Sequence, residues 1–134
     1  MIDYLNEIFT SVATPVREAH PGIMVTGEYT RQPSQFPAVT LDEMENVTVD
    51  NLEDSSKEER FSGLTYRLQV FSNKQSGKKA EARAIFATAD MVMRRLGFRR
   101  ITYTTIPEIY DSTVYSISAT YEAVADVNGT VYKR

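Results

Sequence analysis

Apolar positions recur along this chain with two periods, and the change from one to the other lays out its elements. From Leu64 to Phe71 the period is two. Leu64, Tyr66, Leu68 and Val70 fall on one side and Thr65, Arg67 and Gln69 on the other, as in a half-buried strand. A polar corner, Ser72–Gly77, follows. From Lys78 to Leu96 the period lengthens to that of a helix, with Ala82, Ile85, Phe86, Ala89, Val92, Met93 and Leu96 on one stripe and Arg83, Asp90 and Arg94 opposite. Gly97 stands where a helix end favours glycine, with apolar Phe98 just beyond, and Arg94 and Arg95 suit the negative end of the helix dipole.

The rest of the chain reads as partners for this unit. Residues 2–13 predict an amphipathic helix through Ile2, Leu5, Ile8, Phe9 and Val12, interrupted at Thr14-Pro15, where proline removes a backbone donor, and closed by Pro21-Gly22. Ile23–Tyr29 alternates as a strand with Ile23, Val25 and Tyr29 inward. Phe36–Glu43 reads as a second strand with Val39 and Leu41 inward, and the two look like an antiparallel hairpin. After the long helix come a strand at Arg99–Thr105 with Ile101 and Tyr103 inward and a loop from Ile106 to Ser112. The cleanest alternation in the chain follows, Val114–Val124, with Tyr115, Ile117, Ala119, Tyr121 and Ala123 on one face. Asn128-Gly129 predicts a turn and Val131-Tyr132 a short last strand. The order α-β-β-β-α-β-β predicts an α+β fold: a single mixed, mostly antiparallel sheet of about five strands packed on two helices. The strand–helix–strand unit at its centre predicts a parallel crossover. Polar faces on several strands imply that helices cover only one side of the sheet.

Composition changes this picture in one place. Between residues 42 and 60 the chain carries Asp42, Glu43, Glu45, Asp50, Glu53, Asp54, Glu58 and Glu59 with turn-forming asparagines and serines, which predicts a long acidic loop over 44–60. At 134 residues the chain is expected to be one domain, 1–134. It has no cysteine, which excludes disulfides, thiolate metal sites and cysteine nucleophiles. Its start does not read as a signal peptide, and no apolar run approaches the roughly 20 residues that span a bilayer, so a cytoplasmic protein with no membrane partner is expected. A net charge of −3 argues against tight non-specific DNA binding, which draws its affinity from counterion release at a basic face.

Residues with chemistry are few. His20, the only histidine, has no partner nearby in sequence and reads as a surface or helix-capping residue. Asp50-Asn51-Leu52-Glu53-Asp54-Ser55 lacks the alternating ligands and central glycine of a calcium loop. Ser76-Gly77-Lys78-Lys79 sits between strand and helix, as a phosphate loop would, but it lacks the earlier glycine and the following Ser or Thr. Lys78 and Lys79 at a helix N-terminus oppose its dipole, unless a partner's anion is drawn to them. Arg94, Arg95, Arg99 and Arg100 form a basic cluster open to three readings: helix capping with salt bridges, contact with another subunit's acidic surface, or nucleic acid. No enzyme, metal or cofactor is expected.

The runs Leu64–Asn73, Gly77-Lys78-Lys79-Ala80-Glu81-Ala82, Leu96-Gly97-Phe98 and Tyr115–Ala123 resemble small tail-completion proteins of long-tailed bacteriophages, the tail terminators and minor-capsid-type proteins of siphophage morphogenesis clusters. The likeness extends over about Phe36 to Arg134 and rests on pattern, with no signature of invariant site residues. It implies a sheet flanked by helices in a protein that caps the tail tube as a homohexameric ring. Its partners would be the tail tube protein and the head connector, with DNA passing through the lumen without specific binding. It implies a place in the tail or neck of the virion, after assembly in the host cytoplasm. The subunit or tail-tube contacts expected on this basis are Asp50, Glu53, Asp54, Glu58, Lys78, Lys79, Arg94, Arg95, Arg99 and Arg100. Another head–tail neck protein remains an alternative, as does a small binding module that takes an anionic ligand at the Gly77-Lys78-Lys79 corner.

Overall fold

The computed structural model describes residues 4–48, 61–107, 113–126 and 131–133. Among these the chain forms helices α1 (Leu5–Ala19) and α2 (Lys78–Arg95) and strands β1 (Met24–Thr26), β2 (Ala38–Thr48), β3 (Phe61–Ser72), β4 (Arg99–Pro107), β5 (Tyr115–Asp126) and β6 (Val131–Lys133). This is the expected α+β order with its short last strand. One mixed sheet runs β1-β2-β3-β5-β4, and β6 pairs with the far end of β5.

β3 and β5 form its centre, antiparallel along their full lengths from Phe61↔Asp126 to Ser72↔Tyr115. Their helix-facing side chains meet in register: Leu64 with Ala123, Tyr66 with Tyr121, Leu68 with Ala119 and Val70 with Ile117, all buried. Alanines opposite leucines leave room for Ile85, Ala89 and Met93 of α2 to settle onto the sheet. Because β4 is also antiparallel to β5, β3 and β4 run parallel with β5 between them. The expected crossover through α2 is therefore present, and it spans one strand.

α1 packs on the same face through Ile8, Val12 and Val16. It does not end at Thr14, as its proline predicts: Pro15 lies inside a continuous helix. An interior proline costs about 3 kcal/mol. Burial of Val12 and Val16 on one stripe, at about 2 kcal/mol each, holds the helix together across it. His20 is the C-cap, its N–H donating to the Val16 carbonyl at 2.9 Å, and its Nε2 lies 3.1 Å from Thr88 Oγ1 on α2.

Three strand expectations are corrected. β1 and β2 pair in parallel, Met24 with Ala38 through Thr26 with Thr40, not as a hairpin. The intervening residues are too many for a tight turn and carry the chain back to the same end of the sheet. The acidic stretch begins as strand: residues 44–48 belong to β2, Met44 as a bulge and Glu45–Thr48 paired with β3, and the remainder of the expected loop lies outside the described residues. A register shift between Arg100 and Thr102 takes Ile101 out of the alternation, so its side chain is exposed, not inward.

The face away from the helices is polar. Thr40 donates to Gln69 Oε1 at 3.0 Å, Thr102 and Thr120 meet at 2.7 Å, and Arg67 grips Asp42 with two bonds, Nε to Oδ1 at 3.1 Å and Nη2 to Oδ2 at 2.6 Å. The segment between β1 and β2 folds over part of this face. Its Phe36 packs on Phe71, Ala38 and Val114. Its Tyr29 leaves the core face expected for it and places its ring 3.9 Å from the Arg67 guanidinium. That fork and stacked ring need a planar cation. Arg67→Lys is expected to cost about 1 kcal/mol in chemical denaturation. It should also speed amide hydrogen exchange in residues 27–36 while leaving β3 protected. Unchanged exchange in 27–36 would show that Arg67 does not hold the segment.

Candidate functional site

Both ends of α2 are closed by backbone geometry. At its start Gly77 adopts φ +93° as N-cap with no side-chain cap, and the Glu81 N–H donates to the Gly77 carbonyl at 2.9 Å. Ser72, buried at the end of β3, donates from Oγ to Glu81 Oε1 at 2.7 Å and so ties the corner to the first turn. At its end Gly97 (φ +99°) donates to the Arg94 carbonyl and Phe98 to that of Met93, a Schellman closure. Phe98 is then buried edge-on to Tyr66, 5.4 Å between ring centres, and the chain enters β4.

This route sets the middle of α2 over the start of β4. Asp90, expected on the solvent side of the helix, is buried instead. Its Oδ1 accepts from the Tyr121 hydroxyl at 2.6 Å and from Arg100 Nη1 at 3.1 Å. Burial, reinforced by the bond to Asp90, holds the Tyr121 phenol well above its ordinary pKa. A clue was present in the sequence: Tyr121 lies in an otherwise apolar strand face, and a buried tyrosine hydroxyl needs a partner. Asp90, four residues beyond Phe86 on the helix, is the acceptor in reach.

Above this node a groove of about 550 Å³ runs between α2 and β4, lined chiefly by Lys79, Arg83, Phe86, Asp90, Arg100 and Tyr103. Phe86 and Tyr103 meet edge to face at 5.0 Å, and the Arg100 guanidinium carbon lies 5.8 Å from each ring centre. Three cations face one carboxylate that is already engaged, so the groove attracts anions. Its aromatic floor offers apolar contact beside them.

The expected contact residues separate into groups. Lys78 and Lys79 lie in the first turn of α2 and Arg94 and Arg95 in its last, about 25 Å apart along an 18-residue helix. Lys79 and Arg100 line the one groove, which Arg83, Phe86 and Tyr103 complete without having been expected there. Arg94 reaches only to 4.0 Å from Asp90 and Arg99 to 3.5 Å from Glu122, both largely exposed. Exposed pairs of this kind contribute about 1 kcal/mol at most, so these arginines keep their charge on display. Asp50, Glu53, Asp54 and Glu58 lie outside the described residues. Among the described residues no three His, Asp or Glu side chains gather as metal ligands would, and neither helix is long and apolar enough to cross a membrane. Comparison with protein-family models and with curated proteins finds no match for this chain.

The raised Tyr121 pKa has a definite sign. Above about pH 10 the unfolded chain loses the phenol proton while the folded chain keeps it, so folding stability falls as pH rises from there. Tyr121→Phe should flatten that fall. Asp90→Ala, which strands the hydroxyl, should cost about 2 kcal/mol at neutral pH. Denaturant midpoints across pH 8 to 11 check both. An identical alkaline slope in Tyr121→Phe would remove the phenol as its source.

Proposed function

We propose that this chain is a structural protein of phage or prophage tail assembly, a tail terminator that caps the growing tail tube as a ring and offers the head connector its docking surface. The observation that carries this reading is the outer strand. Every residue of β4 from Arg99 to Ile106 is exposed, including the large side chains of Ile101, Tyr103 and Ile106. The basic residues of the α2 end stand beside it. A long apolar edge is an aggregation hazard in a protein that acts alone and an asset in one that assembles. The helix-flanked sheet agrees with the family resemblance, and a mildly acidic chain suits a lumen past which DNA must move without sticking.

A second reading is favoured by the groove. Lys79, Arg83 and Arg100 around an aromatic floor would suit a small module for an anionic ligand. That reading predicts a stable monomer with measurable affinity for nucleotides. A different neck protein, one that joins head to connector, shares the assembling character and differs in what it docks on.

The terminator reading is tested by adding the purified chain to polymerising tail-tube subunits. Tube growth should stop, with added density at one tube end in electron micrographs. Tubes that reach their usual length would overturn it. Deleting residues 50–57, within the acidic stretch, should leave the melting temperature unchanged and abolish capping. Capping that survives the deletion would remove that segment from the tube contact.

A further inference from the structure

The sheet has two edges of opposite character, and β6 continues the β4 edge past the start of β4. On one side β1 accompanies β2 only from Ala38 to Thr40, so among the described residues no strand flanks β2 beyond that point. This part of β2 carries Asp42, Glu43 and Glu45, with Met44 and Val47 exposed at 46% and 45%. On the other side lies β4, beginning Arg99-Arg100, with Ile101, Tyr103 and Ile106 exposed at 43%, 41% and 38%. The pairings Thr48↔Ser62, Ser62↔Ala125 and Arg99↔Glu122 place the end of β2 and the start of β4 at the same end of the sheet, on opposite edges. One edge is acidic and apolar. The other is basic and apolar, and each leads into more of its own sign: Asp50, Glu53 and Asp54 follow β2, and Arg94 and Arg95 precede β4.

We propose that copies of this chain join head to tail, the β4 edge of one receiving the β2 edge of the next. Strand directions agree with this. β2 and β4 run in opposite senses within the sheet, so a copy added in the same orientation presents its β2 antiparallel to the first copy's β4. Arg99 and Arg100 at the start of β4 then stand on the rungs of Glu45 and Glu43 of the neighbouring β2, with the exposed Ile101 and Met44 beside them. Each edge carries one sign of charge, which disfavours β4 on β4 and β2 on β2 and selects the unlike pair. A contact between two different surfaces of the same chain repeats, closing as a ring or running on as a filament. The ring outcome rests on the terminator reading; the edge contact does not.

The test is native mass measurement of the full chain and its variants at high micromolar concentration. The wild-type chain should give a closed oligomer, and Ile101→Glu and Met44→Glu should each be monomeric. Mixing those two variants should give a heterodimer and nothing larger, because the pair has one intact β4 edge and one intact β2 edge. Met91→Glu, exposed on α2 away from both edges, should assemble like wild type. If circular dichroism shows that either edge variant is unfolded, the milder Ile101→Ser and Met44→Ser replace them. A monomeric wild type, an edge variant that still assembles, or a mixture that stays monomeric would each overturn the proposal. Wild-type assembly without any effect on tube growth would leave the edge contact standing and remove the terminator reading. Tube capping by both edge variants would do the reverse.

Discussion

Everything in this molecule depends on the ladder between β3 and β5. Its helix-facing side sets Leu64 against Ala123 and Leu68 against Ala119, volume against space, on either side of the Tyr66–Tyr121 pair. Both helices lie on the surface this creates, and α2 can approach because alanines lie beneath it. A one-residue slip would turn every one of these side chains to the polar face, so the register of this pair sets the whole arrangement. The two tyrosines at the middle of the ladder are anchored differently. Tyr66 packs against Phe98. Tyr121 sends its hydroxyl to Asp90, and through Asp90 the core reaches Arg100 and the groove. The core and the candidate site are therefore one construction, with the carboxylate as its link.

What was legible in the sequence was what repeats. The alternation of β3 and β5 and the stripe of α2 need only local spacing, and both appear where that spacing puts them. Gly97 and Phe98 close α2 as their chemistry predicts. What was not legible depends on contacts distant in sequence. Residues 44–48 have the composition of a loop, yet they become strand because Glu45–Thr48 pair with Ser62–Thr65 of β3. The parallel sense of β1 follows from the path of a connecting segment, which no hydrophobic pattern encodes. Pro15 has a strong local preference that the burial of Val16 overrides. Helical spacing puts charged Asp90 on the solvent side of α2, and the hydroxyl that draws it inward belongs to another element.

The candidate site shows the same division. Lys79 and Arg100 stand out singly as basic residues near helix ends, but only the crossover over β5 brings them to a common groove with Arg83, Phe86 and Tyr103. Arg100 also turns out to have two roles. It answers Asp90 inside the fold and contributes charge to the surface, whereas Arg94 and Arg99 contribute surface charge with little structural obligation.

The backbone closures of α2 carry a consequence for how such a protein can diversify. Gly77 and Gly97 end the helix by main-chain shape, so no exposed side chain is held in place by a capping duty. Positions 79 and 83 are consequently free to change charge without removing a cap from the helix. Related chains that meet different neighbours would keep the two glycines, the core ladder and the Asp90 node, and would rewrite the outward-facing rows between them.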